Sequence, residues 1–507
     1  MNGPHHGNDD IVDVVIVGTG AGGAPLLAEL ARAGLRVVAL EAGPRFNARQ
    51  FTPDETEASE FYWREERLSG GDTPQAFGGN NSGTGVGGSL LHYGAFLPRP
   101  DARDFHLHAE TGQGVDWPFD RATLLPYIER VETEIGVSGP DHYLWEPERR
   151  FRTPPPARNA AAQAMLRGCD ALGIHASDGP VGLITAPWHE REACVGCGAC
   201  HQGCRNGAKS GVENTYLPRA EADGAEIRPD CFVHHIERDA AGRVSAVVYR
   251  HNGVNYRQRC KQLVLSAGAV ETARLLLHTG LANSSGQVGR NYMAHVSPQV
   301  WGTLPDETRP NKGYPSLAIT EDLQRPENVD FVGGYLLQSL GMMPLTWATA
   351  VARGRGLWGS ALTDYLRRYN HVVGIGAHGD CLPSERNRVT LSNEVGRAGV
   401  PKPHISFSYG ANENAMNAHA IRTMTDIMSA AGATDIWSLS RDAHMIGTCR
   451  MGTDAATNVV DPYGRSFDID NLWICDHSVF PSATSANPAL AIMALSLRTA
   501  EAILSRR

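Results

Sequence analysis

The chain has 507 residues, of which 42% are hydrophobic and 20% are charged, and its formal net charge is −9. A chain of this length is expected to form two intertwined domains around a large core that needs neither disulfides nor zinc. Ten cysteines are too few for a disulfide-stapled scaffold, and a negative chain without a basic stripe is not expected to bind nucleic acid.

The N-terminal segment MNGPHHGNDDIVDVVIVG carries neither a basic n-region nor an apolar h-region, so we expect no Sec or twin-arginine signal. Residues 332–352 form an uncharged stretch as long as a membrane span, but they include three glycines and a proline. We predict a buried strand followed by a loop or short helix there, and no transmembrane segment. The alternative is a lid that docks on a membrane or a partner.

Residues 11–43, IVDVVIVGTGAGGAPLLAELARAGLRVVALEAG, predict a strand, a glycine turn, a helix and a second strand ending in Glu41. Gly18, Gly20 and Gly23 form G-x-G-x-x-G in this setting, where glycines permit a tight turn and let the backbone approach a pyrophosphate. A carboxylate at Glu41 would accept hydrogen bonds from the adenosine ribose. The pattern predicts dinucleotide binding by NAD or FAD, with a purely structural glycine turn as the alternative.

Four cysteines stand close together, as Cys194-x2-Cys197-x2-Cys200-x3-Cys204. This spacing is typical of ferredoxin-like loops that hold an iron–sulfur cluster, although there a proline follows the fourth cysteine and here Arg205 follows it. Zinc sites more often use two separated cysteine pairs, and disulfides suit an oxidising compartment. An iron–sulfur cluster, a structural thiol group, zinc and disulfides all remain open from the spacing alone.

Elsewhere the chain alternates short strand and helix patterns with turns. The runs HVVGIGAHGD from His371, NRVTLS from Asn387 and HISFSY from His404 predict strands. Residues 413–432 have helical spacing and end in glycine, which predicts a helix. The proline-rich RTPPPARN from Arg152 predicts a loop or rigid connector.

Several ordered motifs together resemble the glucose–methanol–choline (GMC) family of flavin oxidoreductases over nearly the whole chain. They are GTGVGGSLLHYGAFLPRP from Gly83, LVLSAGAVETARLLLHTG from Leu263, VGRNYMAH from Val288, NRVTLS from Asn387, and the closing D-x-S-x-x-P and Asn-Pro. The resemblance implies FAD as the cofactor. It also implies a mixed α/β (α+β) fold, with a Rossmann-like FAD-binding domain and a second substrate domain built on an antiparallel sheet.

The resemblance further orders the domains. The FAD-binding domain would comprise residues 1–100, 190–300 with the cysteine cluster 194–204, and 436–507 with the catalytic pair. Residues 101–189 would be a connecting and substrate-cap segment, and residues 301–435 the substrate domain.

Oxidation of an alcohol removes a hydroxyl proton and a hydride, so the protein must supply a base beside its redox cofactor, and histidine suits this role. The resemblance implies that His444 and Asn487 are the catalytic pair. The Asn487 amide can donate to the substrate oxygen without competing for its proton. A histidine that caps a turn is the alternative for His444. The predicted reaction converts a hydroxyl of a sugar, glycoside or other polyol to a carbonyl, with hydride transfer to flavin N5.

The predicted cofactor contacts combine the glycine fingerprint with positions that match the family. They are Gly18, Gly20, Gly23, Glu41, Gly87, Gly88, His92, Val233, Asp476 and Pro488. His92 stands where some relatives bond flavin covalently, but Tyr93 follows it where those relatives have Trp, so we predict noncovalent FAD.

Sugar dehydrogenases of the family carry a cysteine cluster at the corresponding place. The match is direct at Cys200 and Cys204, whereas the spacing differs at Cys194 and Cys197. The resemblance implies an iron–sulfur cluster at these four cysteines that passes electrons to a protein acceptor, such as a cytochrome or a small partner subunit. The alternatives are an oxidase that reduces oxygen to hydrogen peroxide, with structural cysteines, and a non-redox flavin lyase or scaffold subunit. The expected location is the cytoplasm, or the periplasm after export with a signal-bearing partner.

Overall fold

The structure is a computed structural model and describes residues 6–7, 9–74 and 82–506. The signal prediction and the predicted FAD-binding segments therefore rest in part on residues 1–5, 8, 75–81 and 507, which lie outside the described residues.

The strands are β1 Ile11–Val17, β2 Val37–Leu40, β3 Leu68–Gly70, β4 Ser177–Asp178, β5 Glu226–Arg228, β6 Phe232–Arg238, β7 Val244–His251, β8 Val254–Leu265, β9 Met293–Val296, β10 Gln299–Thr303, β11 Ala318–Thr320, β12 Tyr335–Leu340, β13 Val372–Gly379, β14 Arg388–Val395, β15 Pro401–Ser406, β16 Thr434–Leu439, β17 Asp442–Ile446 and β18 Leu472–Ile474. The α-helices are α1 Gly23–Arg32, α2 Leu107–Thr111, α3 Arg121–Ile135, α4 Ala160–Ala171, α5 Tyr216–Ala222, α6 Gly268–Thr279, α7 Pro344–Arg355, α8 Gly359–Leu366, α9 Ala411–Ala430 and α10 Ala489–Leu504.

The first sheet has the order β5-β2-β1-β8-β7-β6, and β18 pairs with the last residues of β8. The strands β5, β2, β1, β8 and β18 are parallel, whereas β6 and β7 are antiparallel additions. Strand β2 is buried along its whole length and β1 over most of it, as parallel strands covered by helices on both faces are. The predicted strand–turn–helix–strand unit is confirmed as β1, α1 and β2.

Helix α10 fastens the start of α1 to the C-terminal part of the chain. The Ser496 hydroxyl donates to the Gly22 carbonyl at 2.6 Å and accepts from the Leu26 amide at 2.9 Å. Because a helix N-terminus has amides without intrahelical partners, this side chain satisfies one of them from a distant segment. The first helix of the sheet is thus held by the last helix of the chain.

The second sheet is antiparallel, with the order β16-β10-β13-β12-β11-β4, and β9 connects β13 to β17. Helices α4 and α9 pack on one face of it, where Val300 and Ile375 are fully buried. Directly paired residues point to the same face, so Gln299 and Gln338, both opposite Gly376, project from the other face. This polar face borders the cavity described below.

The predicted fold class is confirmed, since a Rossmann-like parallel sheet and a separate antiparallel sheet are both present. The predicted strands are confirmed as β13, β14 and β15, and the predicted helix is confirmed as α9. The uncharged stretch 332–352 contains the buried strand β12 and part of helix α7. Among the described residues, no helix combines the length and the hydropathy that crossing a membrane requires.

Candidate active site

A cavity of about 1410 Å³ is lined both by the glycine turn after β1 and by the polar face of the second sheet. Typical small-molecule pockets measure roughly 300–1,000 Å³, so this space can hold a dinucleotide together with a substrate. Nearly all the residues that the sequence predicts as cofactor or catalytic groups line it: Gly18, Gly20, Glu41, Gly88, His92, Val233, His444, Asp476, Asn487 and Pro488.

The glycine turn is packed against the rest of the sheet more tightly than any side chain would allow. A Cβ at Gly22 would lie 1.8 Å from the Cys475 carbonyl oxygen, and one at Gly23 would lie 2.1 Å from the Gly18 carbonyl oxygen. Gly18 has a φ of +97°. At Gly20, by contrast, a Cβ would make only an ordinary 3.6 Å contact with Gly88. The protein therefore needs glycine at Gly22 for its own packing, while the space beside Gly20 is open to a ligand.

The second glycine-rich segment lies against this turn. The Gly87 amide donates to the Thr19 hydroxyl at 3.3 Å, and a Cβ at Gly88 would lie 2.7 Å from the Gly20 Cα. Both glycines have positive φ values, +116° and +58°. The two segments that were recognised separately in the sequence thus form one backbone cradle.

The Glu41 carboxylate is buried and braces the cradle from beneath. It accepts hydrogen bonds from the Thr19 amide at 3.1 Å and hydroxyl at 2.9 Å, from the Gly43 amide at 3.0 Å and from the Gly85 amide at 3.2 Å. Burial raises the pKa of Glu41 above its ordinary value, and these donors oppose the shift. The visible contacts of Glu41 are made to the cradle itself, and its contact with a ribose stays a prediction.

Asp476 holds the start of helix α6. Its carboxylate accepts from the Gly268 amide at 2.9 Å, from the Thr272 hydroxyl at 2.7 Å and from the Ser478 amide at 2.8 Å. A negative charge at a helix N-terminus is stabilising. The carboxylate also lines the cavity, as do Val233 of β6 and Pro488 at the start of α10.

His92 presents an unpartnered ring nitrogen inside the cavity wall. Its Nε2 atom is buried without a hydrogen-bond partner, and its ring lies 4.3 Å from the ring of Tyr62. Burial lowers the pKa of His92 to about 3, so the ring is neutral. A buried polar atom of this kind fits a polar group bound in the cavity, as the predicted flavin would be.

His444 reaches the cavity because the strand that carries it is bulged. In the pairing of β17 with β9, the register shifts between Ala443 and Met445, and His444 has a φ of +57°. A bulge bends the strand and re-aims one side chain, and a left-handed backbone at a residue other than glycine is strained. The strain falls on the residue that the sequence predicts as the base.

The hydrogen bonds of His295 determine which nitrogen of His444 carries a proton. His295 Nε2 lies 3.1 Å from the Ala483 carbonyl oxygen, which can only accept, and burial lowers the pKa of His295 to about 4. The neutral His295 ring therefore donates from Nε2 and accepts at Nδ1. His444 Nδ1 lies 2.9 Å from that acceptor and must donate to it, which leaves the lone pair of neutral His444 at Nε2.

His378 completes a group of three histidines. The ligand atoms of His295, His378 and His444 all lie within 4.8 Å of one another, which is close enough to hold a metal ion. Among the described residues, no other group of three His, Cys, Asp or Glu side chains meets this criterion. His378 is already engaged, by Ser297 Oγ at 3.3 Å and by Gln338 Nε2 at 2.9 Å. Hydrogen bonds within the protein therefore account for these rings without a metal. The sequence motif contained His295, but nothing in it indicated a contact with His444.

Asn487 lies at the cavity with its Oδ1 atom buried and without a partner. The loop before it is fixed by Asp104, whose carboxylate accepts from the Ser485 amide at 2.9 Å and from the Ser485 hydroxyl at 3.0 Å. Arg325 pairs with Asp104 at 2.9 Å. The amide of Asn487 is therefore held on a braced loop and is available to a ligand.

The four clustered cysteines are free thiols on one loop. Cys200 is buried, Cys197 is exposed, and the other two are intermediate. No three of the sulfurs approach within 4.8 Å of one another, whereas a closed zinc site would hold its sulfurs roughly 3.8 Å apart. The Cys194 and Cys204 sulfurs accept hydrogen bonds from backbone amides at 3.4 Å and 3.2 Å. Thiols with backbone amides directed at sulfur are donors that an iron–sulfur cluster would use, and its presence here stays a prediction.

Two side chains join the cysteine loop to the segment around His92. The buried ammonium of Lys209 donates to the carbonyls of Leu91 at 2.9 Å, Tyr93 at 3.2 Å and Cys200 at 2.8 Å. His201 Nδ1 lies 2.9 Å from the His92 carbonyl oxygen and donates to it. The cysteine loop and the cavity wall are therefore parts of one hydrogen-bonded unit.

The chain is similar to known proteins in both sequence and fold. The models of the N-terminal and C-terminal domains described as GMC oxidoreductase match residues 70–297 and 383–496. The large subunit of fructose dehydrogenase from Gluconobacter japonicus is 30% identical, over 97% of this chain and 98% of its own. The 6'''-hydroxyparomomycin C oxidase of Streptomyces lividus is 29% identical, over 98% of this chain and 92% of its own. The solved formate oxidase of Aspergillus oryzae has the same fold, with a TM-score of 0.72, 15% identity and 99% coverage of both chains.

The two neighbouring glycines predict different results when each is replaced by alanine. Gly22→Ala should lower the thermal midpoint of the ligand-free protein or prevent folding, because its Cβ meets a backbone carbonyl. Gly20→Ala should leave that midpoint unchanged but abolish retention of the dinucleotide, because the Cβ fills space that only a ligand uses. Thermal unfolding and the nucleotide released on denaturation measure the two effects. A Gly20→Ala protein that keeps its dinucleotide would contradict this assignment of the cradle.

Proposed function

The chain belongs to the GMC oxidoreductase family and acts on CH–OH groups with FAD, and from this premise we propose that it oxidises a hydroxyl of a sugar, glycoside or other polyol to a carbonyl. The polar wall of the cavity supports a substrate with several hydroxyls. The side chains on that wall are Ser297, Gln299, Gln338, His378, Asn414 and Asn417. Amide and hydroxyl groups of this kind bind sugar hydroxyls better than they bind a hydrocarbon chain.

FAD would be held by the cradle of Gly18, Gly20 and Gly88, with Glu41 and Asp476 bracing the segments around it. When bound, it supplies an acceptor for the hydride that leaves the substrate carbon. The unpartnered Nε2 of His92 offers a polar contact, and we propose that the cofactor is bound noncovalently.

The observation that carries the proposal is that His444, whose Nε2 atom has a free lone pair, and Asn487, whose amide is available, line the same cavity. His444 takes the hydroxyl proton at Nε2, while its Nδ1 proton stays bonded to His295. Asn487 donates its amide hydrogens to the substrate oxygen, where negative charge develops as the proton leaves. The products are the carbonyl compound, a protonated His444 and a reduced cofactor, so protons and electrons balance.

We propose that electrons leave through an iron–sulfur cluster at Cys194, Cys197, Cys200 and Cys204. Gly198, His201 and Gln202 of this loop line the cavity, while Val195 is 74% exposed. The loop thus reaches from the cavity to the surface, where an electron-accepting protein such as a cytochrome or a small partner subunit would dock. The aminoglycoside oxidase among the relatives supports the alternative, in which oxygen is the acceptor and the cysteines are structural.

The lowered pKa of His444 predicts the pH dependence of the first half-reaction, in which the substrate reduces the flavin. Burial, with His378, His295, Arg441 and His477 nearby, lowers the pKa of His444 well below 6.5. The base is active when unprotonated, so the rate of flavin bleaching by substrate should be constant near neutrality and fall only below pH 6.5. Anaerobic stopped-flow absorbance measures this rate, and His444→Ala should reduce it about 10²- to 10⁴-fold. An acid limb at or above pH 7, or no bleaching by any sugar or polyol, would contradict the proposed function.

His295 should act through the proton position of His444, and two variants separate this role from simple packing. His295→Leu removes the acceptor for His444 Nδ1 and should slow flavin bleaching roughly 10- to 10³-fold, since a base in the wrong tautomer loses its function. His295→Asn restores an accepting oxygen and should recover most of the rate. The ¹⁵N NMR signals of His444 report the tautomer directly. Equal rates for the two variants would show that His295 serves packing alone.

A cysteine variant should stop electron transfer to a protein acceptor without affecting reduction of the flavin by substrate. Cys200→Ser should abolish iron and sulfide binding and turnover with a one-electron protein acceptor, while flavin bleaching by substrate stays unchanged. The buried Cys169 on helix α4 provides a control, because Cys169→Ser should retain the iron. A wild-type protein prepared without oxygen that contains no iron, and that reduces oxygen efficiently, would favour the oxidase alternative instead.

A further inference from the structure

Arg441 stands at the substrate end of the cavity, between β16 and β17 and three residues before His444. Its backbone is fixed, because its carbonyl oxygen accepts from the Ser297 amide at 3.1 Å. The residue is exposed and lines the cavity, and desolvation by the surrounding protein lowers its pKa below the ordinary arginine value. At neutral pH the guanidinium remains charged.

The guanidinium of Arg441 makes no hydrogen bond and no ion pair with any residue that the structure describes. Other arginines that line the cavity are paired: Arg67 lies 3.0 Å from Glu271, and Arg274 lies 2.8 Å from Glu65. A guanidinium that lines a cavity loses water when a ligand fills that cavity, and burying a charge without a partner is costly. An unpaired guanidinium that faces a cavity therefore indicates an anionic group on what binds there.

The neighbours of Arg441 place this charge near the reacting centre and away from the glycine cradle. It acts electrostatically on Tyr62, His201, His378 and His444. None of these belongs to the cradle that would hold the cofactor phosphates. The adjacent Asp442 is the acid that acts on Arg441, and it does so through space.

We propose that the substrate is a polyhydroxy acid, whose carboxylate binds the guanidinium of Arg441 while one of its hydroxyls reacts at His444. This rests on the proposed function and names the substrate class for the same site. Arginine presents its donors in a fork that matches a carboxylate in two hydrogen bonds. On the sheet face, the unpartnered Oε1 atom of Gln338 remains as an acceptor and the Nε2 group of Gln299 as a donor for the other hydroxyls. Arg441 is thereby a specificity-determining residue.

The test uses the holoenzyme and matched pairs of compounds that differ only in one carboxylate. The pairs are glucose and glucuronate, galactose and galacturonate, and xylitol and xylonate, with glucose 6-phosphate as a separate anion. We expect the acids to bleach the flavin with a higher kcat/KM than their neutral partners. Arg441→Gln should lower kcat/KM for the acids about 10- to 100-fold, mainly through KM, and leave the neutral partners unchanged.

Two further variants make the result specific. Arg441→Lys keeps the charge but loses the fork, so it should restore part of the affinity for the acids. Arg64→Gln removes a cation from the rim of the same cavity, where its side chain is 65% exposed, and should change neither class of substrate.

The outcomes that contradict the proposal differ from those that contradict the function. If neutral sugars or polyols bleach the flavin as well as the acids do, the function stands and the acid specificity is wrong. If glucose 6-phosphate is preferred over every acid, the anion is a phosphate ester and the carboxylate assignment is wrong. If Arg441→Gln slows both classes equally, the residue serves the cofactor instead. If no compound of either class bleaches the flavin, the proposed function itself fails.

Discussion

The close approach of Gly22 to the Cys475 carbonyl is the contact on which the rest of this site depends. A Cβ at Gly22 would lie 1.8 Å from that oxygen, so only a bare backbone permits the glycine turn to rest on the end of β18. The hydroxyl of Ser496 on α10 also donates a hydrogen bond to the carbonyl oxygen of Gly22 itself, at 2.6 Å. The segment that carries Asp476 and Asn487 is thereby locked onto the segment that cradles the dinucleotide. The predicted cofactor cradle and the predicted catalytic residue Asn487 consequently belong to one structural unit, although they come from opposite ends of the chain.

The glycine fingerprint and several strands followed from local sequence patterns, because those patterns have local physical causes, whereas the catalytic pair and the domain order followed from the resemblance to the GMC family. The glycine fingerprint and the strands around residues 372–406 depend on neighbours within a few positions, and both are present in the structure. The bulge at His444 depends on how β17 pairs with β9, nearly 150 residues earlier, as does the hydrogen bond from His444 to His295. The demand for glycine at Gly22 likewise arises from Cys475, far along the chain. Residue spacing does not encode contacts between such distant segments. The family resemblance indicated His444, but the sequence could not reveal which of its ring nitrogens carries the proton. The roles of the predicted site residues, and of the cysteine cluster, stay predictions.

The histidines around the cavity work as neutral groups, which explains how they can stand so near one another. Burial lowers the pKa of His295 to about 4 and of His378 to about 3, and it lowers that of His444 as well. Neutral rings can exchange hydrogen bonds that charged rings would forbid, because a charged imidazole has no acceptor. In the row of hydrogen bonds that joins His444, His295 and Ala483, each group therefore donates in the same direction: His444 donates to His295, and His295 donates to the Ala483 carbonyl. Arg441 is the contrasting element, a permanent cation near rings that are neutral before the substrate reacts.

The strand order of the first sheet has a consequence for how this protein is made. Strand β1 lies between β2 and β8, with Val15 opposite Leu263, and β18 adds to the far side of β8. A ribosome that emits roughly 5–20 residues per second needs at least about ten seconds to deliver β8 after β1 has emerged. Throughout that interval the edge of β1 that faces β8 has no partner, and such an edge can pair with other chains. The edge of β1 that faces β8 therefore stays open until the middle of the chain has been synthesised, which makes it a surface at which the nascent protein can aggregate.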